Sequence, residues 1–143
     1  MKPTDLAFNQ ALGLVAAPAG AAHLLELPFA PVVQNHVGTA HAAAQFALAE
    51  AASAACLQRD FPELDGRVFA VVRGVQLKYR QAGTGDLLAY AWPDDLTRAN
   101  LVRDLQTKTR TAATVLVELK DRAGRVTFTG SFDWFIARAG TAP

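Results

Sequence analysis

The chain has 143 residues, a length that fits one domain with a hydrophobic core of its own. Hydrophobic residues make up 51% and charged residues 19%, which excludes a disordered chain. The formal net charge is +1, so the composition predicts neither a nucleic-acid partner nor binding to an anionic membrane. We therefore expect a single domain over residues 1–143 with no nucleic-acid or membrane partner.

The lone cysteine, Cys56, excludes an internal disulfide and fits a reducing compartment. The apolar run from Ala11 to Ala17, followed by small residues, has the outline of a signal peptide. Only Lys2 places a positive charge ahead of that run, and polar residues interrupt the approach to it, so secretion is the less favoured alternative. The sequence predicts a cytoplasmic protein and contains no zinc-type spacing of cysteine and histidine.

The first predicted element is an N-terminal helix and turn over residues 1–20. Thr4 and Asp5 can cap a helix that runs to about residue 15. Its apolar face would consist of three residues at helical spacing, namely Phe8, Leu12 and Val15. A short strand, from His23 to Phe29, is predicted to follow.

The central element is a long helix predicted from about Ala40 to Gln58 (residues 40–58). Ten of the sixteen residues from Ala40 to Ala55 are alanine, the strongest helix former and one of the smallest side chains. Such a slim helix suits burial under a curved sheet. Between His41 and Gln58 the only charged residue is Glu50. A buried carboxylate is costly unless it is paired, or unless its altered acidity is useful.

The second half of the chain predicts four strands and a minor helix. A strand is predicted from Arg67 to Arg80, with a bulge near Gly74. One face of that strand would carry Phe69, Val71, Val75, Leu77 and Tyr79. A hairpin turn at residues 83–86 would lead into a strand over residues 87–92.

A short helix is then predicted from Pro93 to about Gln106, with Leu101, Val102 and Leu105 pointing inward. The last third is a long hairpin, with strands over residues 110–119 and 125–136. One long apolar helix with a mainly antiparallel sheet defines an α+β domain.

A motif at the start of the central helix adds to this interpretation. It comprises Asn35, Gly38 and His41, followed by Leu-Ala-Glu-Ala-Ala over residues 48–52. It resembles the hotdog-fold acyl-CoA thioesterases, especially the phenylacetate-pathway type. Their pattern is Asn-x-x-Gly-x-x-His-Gly-Gly, with a carboxylate nine residues after the histidine. The stretch is also similar to an uncharacterised hotdog family with Asn-His-Val-Gly-x-x-His-Ala and Ala-Glu-Ala. The resemblance implies a long central helix wrapped by a curved sheet of about five or six strands.

The chain departs from the thioesterase pattern at two places. Ala42 and Ala43 replace the two glycines, which keeps the backbone N–H donors but adds methyl groups near a substrate. Glu50 replaces the usual aspartate and reaches one methylene further.

The spacing of Glu50 and His41 indicates a site shared between subunits. If both lie on one helix, nine residues separate them by about 180° around the axis and roughly 13 Å along it. They would converge only if a second copy of the helix ran antiparallel beside the first, as in a two-fold dimer. The resemblance also implies composite sites, in a homodimer or a dimer of dimers (a homotetramer).

The resemblance implies hydrolysis of an acyl-CoA or acyl-carrier thioester. The thioester carbonyl would lie at the helix N-terminus, bound by the N–H of Ala42 or Ala43. Glu50 would act as general base or as nucleophile, with its pKa raised by apolar neighbours. Asn35 and His41 would position the carbonyl or the water. Gly38 would contact the substrate, and Ser53 would hydrogen-bond Glu50. No separate cofactor or metal is implied, because coenzyme A is part of the substrate.

Several alternatives remain open from the sequence. Glu50 could be paired with Arg73 or Arg110, His41 could only cap the helix, and Asn35 could only brace its loop. The protein could also bind acyl thioesters without turnover, or be an enoyl-thioester hydratase or dehydratase of the same fold. The sequence assigns neither an acyl preference nor the residues that bind the phosphates of coenzyme A.

Overall fold

The structure, a computed structural model, describes residues 1–140. It contains three helices and six strands. The helices are α1 (Ala7–Ala11), α2 (Ala42–Asp60) and α3 (Asp95–Thr107). The strands are β1 (Val15–Ala16), β2 (Leu25–Leu27), β3 (Val68–Tyr79), β4 (Leu87–Pro93), β5 (Arg110–Asp121) and β6 (Val126–Arg138). No helix within residues 1–140 is long and apolar enough to cross a membrane.

All six strands form one antiparallel sheet in the order β1-β2-β4-β5-β6-β3. Helix α2 packs against the concave face, where the buried residues of β4, β5 and β6 complete the core. The predicted α+β class and the predicted wrapping of one long helix by a curved sheet are confirmed. The strand count, predicted as about five or six, is six.

Helix α2 begins at Ala42, two residues later than predicted, and ends at Asp60. His41 is its N-cap, with extended backbone (φ −60°, ψ 139°). The preceding backbone is held outside the helix because the Ala40 N–H donates to the Gly83 carbonyl at 2.7 Å. Alanine suits the buried side of α2, where Ala44, Ala47, Ala49, Ala51 and Ala52 are each at most 5% exposed and the sheet lies close.

The predicted N-terminal helix is wrong in both length and face. Helix α1 has five residues, and Gly13 follows it with φ +76°. Phe8 is 68% exposed, whereas Asn9 is buried and donates from Nδ2 to the Pro3 carbonyl at 2.9 Å. Asn9 is inward, where its amide adds a second hydrogen bond to the Pro3 carbonyl, which also accepts from the Leu6 N–H at 3.3 Å. Hydrophobic spacing does not reveal such a polar contact.

Strand β3 has the predicted bulge, but the bulge changes which residues share a face. The pairing of β3 with β6 shifts register between Val72 and Gly74, so Arg73 is the extra residue. Because side chains alternate along a strand, one inserted residue moves the alternation to the other face. Val72 and Val75 therefore both pack on the core, while Phe69 is 42% exposed. The single-face row predicted across the bulge is wrong.

The predicted hairpin between β3 and β4 is also wrong. Strands β5 and β6 lie between β3 and β4 in the sheet, so the turn at residues 83–86 connects strands that are not neighbours. This segment instead crosses the start of α2, where Gly83 is buried against Ala40. Strand β2 is shorter than the predicted strand from His23 to Phe29, and β1 was not predicted. Helix α3 and the long β5–β6 hairpin follow the prediction.

Candidate active site

An open cavity of about 600 Å³ lies beside the C-terminal half of α2. Its walls come from α2, the first half of β3, the end of β6 and the N-terminal residues of the chain. Most of the lining is apolar. Glu50 lies on this wall and is the only acidic residue that α2 contributes to it.

The Glu50 carboxylate is half-buried and unpaired. Among the residues that the structure describes, none forms an ion pair or side-chain hydrogen bond with it. Burial raises its pKa above the ordinary value of 4.5. The alternative of a structural pair with Arg73 is wrong, because that guanidinium lies 4.0 Å from the centre of the Phe135 ring. Arg110 forms no bond with Glu50 either. An accessible carboxylate of raised pKa beside an apolar cavity has the properties of a general base.

Ser53 supports the site differently from the prediction. Its hydroxyl donates to the backbone carbonyl of Glu50 at 2.7 Å and accepts from Trp134 Nε1 at 3.1 Å. The predicted bond from Ser53 to the Glu50 carboxylate is therefore wrong, since the hydroxyl is occupied on both sides. Ser53 and Trp134 are buried and join α2 to β6 beneath the cavity.

The start of α2 presents backbone donors at the protein surface. His41, Ala42 and Ala43 are all exposed. His41 Nδ1 accepts from the Ala43 N–H at 3.0 Å, so His41 does cap the helix, as one of the alternatives expected. The Ala42 N–H is one of the first N–H groups of a helix, which lack partners within the helix. With the positive end of the helix dipole, it makes a suitable site for a developing negative oxygen.

Asn35 organises the loop that leads into α2. Its Oδ1 accepts from the N–H groups of Val37 (3.1 Å) and Thr39 (3.0 Å), and its Nδ2 donates to Thr39 Oγ1 at 2.8 Å. Gly38 completes the turn with φ +73°, a conformation that favours glycine. These bonds fit the loop-bracing alternative. Neither residue is brought to the Glu50 cavity of its own chain.

The predicted site residues thus fall into two groups within one chain. Glu50 lines the cavity, whereas Asn35, Gly38, His41, Ala42 and Ala43 lie at the other end of α2 and do not line it. Nine residues along α2 separate the two groups by roughly 13 Å. One chain by itself therefore does not bring Glu50 to the helix N-terminus.

Sequence reasoning missed two contributors. Tyr79 at the end of β3 donates its hydroxyl to the Ala42 carbonyl at 3.0 Å, and burial raises its pKa. The N-terminal residues line the cavity, where Pro3 is buried and Leu6 is half-exposed. The aromatic position in β3 was a detectable signal for Tyr79, but its partner depends on the bulge. Nothing in the local sequence indicates the role of the N-terminal residues.

Other reactive side chains lie outside the site. Cys56 is fully buried, and burial with the neighbouring Asp60 raises its pKa to about 12, as expected for an inert thiol. Within residues 1–140, no three His, Cys, Asp or Glu side chains are grouped to hold a metal ion. The basic residues that could meet the phosphates of coenzyme A are all exposed, namely Arg73, Lys78, Arg80, Lys108 and Arg110.

Residues 18–136 match a family described as a domain of unknown function (DUF4442). The chain belongs to this family. No curated protein matches the chain.

Solved structures show the same fold as this DUF4442 chain. PA5026 of Pseudomonas aeruginosa, a protein of unknown function described as a probable thioesterase, is 24% identical, with a TM-score of 0.79 over 94% of this chain and 89% of that one. The thioesterase HI1161 of Haemophilus influenzae is 13% identical, with a TM-score of 0.75 over 96% and 87%. BH2602 of Bacillus halodurans, crystallised with CoA, is 20% identical, with a TM-score of 0.62 over 78% and 69%. The predicted hotdog fold is confirmed.

Proposed function

We propose that this DUF4442 protein hydrolyses acyl-CoA or acyl-carrier thioesters at a site shared by two subunits. The observation that carries the proposal is the Glu50 carboxylate, which is unpaired, half-buried and raised in pKa at the wall of an apolar cavity. A structural carboxylate in such surroundings normally has a cationic partner. The fold is shared with HI1161, described as a thioesterase, and with PA5026, described as a probable thioesterase, which supports the same function.

Strand β3 supplies a surface for the second subunit. It is twelve residues long and lies at the sheet edge, paired within the described residues only with β6. Its exposed side chains include Phe69, Leu77 and Tyr79. A long, partly apolar edge of this kind is suited to strand pairing. Two-fold pairing of two β3 strands would lay the two α2 helices antiparallel, with Glu50 of one chain facing the partner subunit's His41.

In the proposed reaction, the thioester carbonyl is bound at the N-terminus of one α2. The Ala42 N–H and the helix dipole stabilise the negative oxygen that forms on attack. Glu50 of the other chain takes a proton from the attacking water. The carbon–sulfur bond then breaks, and the departing thiolate takes up the proton that Glu50 removed from the water. This gives the free acid and thiol and restores the Glu50 carboxylate.

A second candidate function is acyl-thioester binding without turnover. It is favoured by the hydrogen bond between the Ala43 N–H and His41 Nδ1, which occupies one of the two expected oxyanion donors. If the ring keeps this bond when substrate is present, a single donor remains. Removing one donor from an oxyanion site typically slows catalysis about 100- to 1,000-fold.

Thiol release from a panel of acyl-CoA substrates tests the proposal. We expect turnover by the wild type, and a loss of about 100- to 10,000-fold in Glu50→Gln, as for removal of a general base. Glu63→Gln, at an exposed position, is the matched control and should retain full activity. Buried Cys56 gives little background with a thiol reagent. Equal rates for wild type and Glu50→Gln would overturn the proposed mechanism, while binding without release of thiol would establish the second candidate.

Mixing Glu50→Gln chains with His41→Ala chains tests the shared site directly. Each variant alone should be inactive, because the proposed site needs Glu50 as base and His41 to position the carbonyl or the water. In a mixed dimer of Glu50→Gln and His41→Ala chains, one of the two sites keeps both an intact Glu50 and an intact His41. Because random exchange makes half of the dimers mixed, we expect about a quarter of the wild-type activity to return. No recovery in dimers whose subunits are shown to have exchanged, by co-purification of two differently tagged variants, would contradict a composite site.

A further inference from the structure

The residues that line the cavity beside Glu50 extend along α2. Its α2 wall is a stripe of residues three or four apart, namely Glu50, Ala54, Leu57, Gln58 and Phe61. The eleven steps from Glu50 to Phe61 correspond to roughly 16 Å along the axis. The β3 wall runs the same way, because Val72 pairs with Trp134 near Ser53, while Val68 lies four residues further from that end.

Small side chains create this space. Ala51 and Ala54 on α2 face the cavity, and Ala70 lies opposite them on β3. Ala54 is one turn from Glu50, or roughly 6 Å along the axis. A larger residue at position 54 would therefore divide the cavity close to its Glu50 end.

Residues 1–9, which we call the N-terminal cover, form a further wall of the cavity. The Gln58 side-chain amide donates to the Met1 carbonyl at 2.8 Å, which fixes the cover to the second half of α2. Asn9 holds the cover in shape through its bond to the Pro3 carbonyl. Leu6 contributes an apolar side chain to the cavity, whereas Phe8 does not line it.

We propose that this cavity holds the hydrocarbon tail of a straight-chain acyl thioester, and that Ala54 determines how long a tail it accepts. The proposal rests on the function proposed above, in that the reacting carbonyl is assigned to the Glu50 end. An extended chain gains roughly 1.2 Å per bond, as the polypeptide backbone does at 3.3–3.6 Å per three bonds. A 16 Å cavity therefore takes a tail of about 13 bonds, which defines medium- to long-chain acyl groups as the substrate class.

Binding of S-alkyl-CoA thioethers measures tail length separately from catalysis, because these analogues contain no thioester to hydrolyse. In titration calorimetry, each added methylene should lower Kd about fourfold, the equivalent of 0.8 kcal/mol per buried methylene, until the tail fills the cavity. In Ala54→Leu the gain should stop after about five bonds, with shorter tails unaffected. Ala54→Val, a smaller change, should give an intermediate limit and serves if the leucine variant folds poorly.

The N-terminal cover provides a matched pair of variants. Leu6→Ala should weaken binding of tails that reach under the cover by about fourfold or more, because it removes an apolar contact. Phe8→Ala, on the same segment but outside the cavity, should leave every Kd unchanged.

A Kd that does not depend on tail length, or an Ala54→Leu variant weakened equally at all lengths, would overturn this inference. These outcomes are distinguishable from failure of the proposed function. A thioether Kd that falls with tail length, without thiol release from any thioester, would support the tail site and contradict the hydrolase. Thiol release from thioesters, together with a thioether Kd that does not depend on tail length, would retain the hydrolase and remove the tail site.

Discussion

The Trp134 indole N–H and the Ser53 hydroxyl form a buried hydrogen bond of 3.1 Å between β6 and α2. The same hydroxyl donates to the Glu50 carbonyl, so one serine fixes both the indole and the helical turn that carries the acid. The position of Glu50 relative to the sheet thus depends on a pair of side chains that do not touch its carboxylate.

Ser53→Ala should lower the free energy of unfolding by about 1–3 kcal/mol, because it leaves the Trp134 N–H unpaired in the interior. Trp134→Phe removes the donor, and the double variant loses less than the sum of the two single losses. Urea unfolding of the four proteins measures the coupling. Additive losses would show that the hydrogen bond does not couple the two residues.

The stability of Glu50→Gln should depend on pH in a defined direction. Burial raises the pKa of Glu50 above 4.5, so the folded state binds more protons than the unfolded state just above pH 4.5. The contribution of Glu50 to stability therefore falls as pH rises through its folded-state pKa. We expect Glu50→Gln to be more stable than wild type at pH 8, with the difference shrinking towards pH 4.5. Thermal melts between pH 4.5 and pH 8 measure this difference in stability, with Glu63→Gln as the exposed control.

Tyr79→Phe should slow thiol release by about two- to tenfold, the kinetic equivalent of one hydrogen bond of 0.5–1.5 kcal/mol. Tyr79 binds the carbonyl of Ala42, the residue whose N–H is the proposed oxyanion donor, so the phenol holds that residue in position at the helix start. Tyr90→Phe, on β4 and outside the site, is the control. An unchanged rate in Tyr79→Phe would remove the phenol from the proposed oxyanion site.

Gly130→Ala should destabilise the protein by about 1–3 kcal/mol through overpacking. An added Cβ would lie 2.9 Å from the ring of Phe128, which is fully buried, and 3.3 Å from the Gln76 carbonyl. Gly85→Ala has open space around its Cβ and should be neutral or slightly stabilising. Chemical denaturation of both variants provides the comparison, and equal effects would contradict the overpacking argument.

The sequence was sufficient to predict the central helix and its acid. The alanines between residues 40 and 55 favour a helix, and their small side chains allow it to pack closely. Glu50 is conspicuous there because its neighbours in the sequence are apolar. The long β5–β6 hairpin was predictable for a similar reason, since alternating side chains and a turn are local signals.

Other features depend on contacts between distant segments. The sheet order separates β3 from β4, although only seven residues connect them. The cavity needs residues from both ends of the chain, and the N-terminal cover is inward at Asn9, whose amide bonds the Pro3 carbonyl six residues earlier. Such arrangements depend on which strands pair and on how buried polar groups find hydrogen-bond partners. Hydrophobic periodicity in the sequence does not indicate either.

The sheet order also governs when β3 acquires its neighbour during synthesis. Tyr79 pairs with Phe128, so β3 leaves the ribosome well before its partner strand has been made. Until then both of its edges are open, and its apolar side chains are available to other nascent chains. Docking of β6 is therefore the late step that protects β3, and chains truncated before Val126 should aggregate during translation while full-length chains remain dispersed.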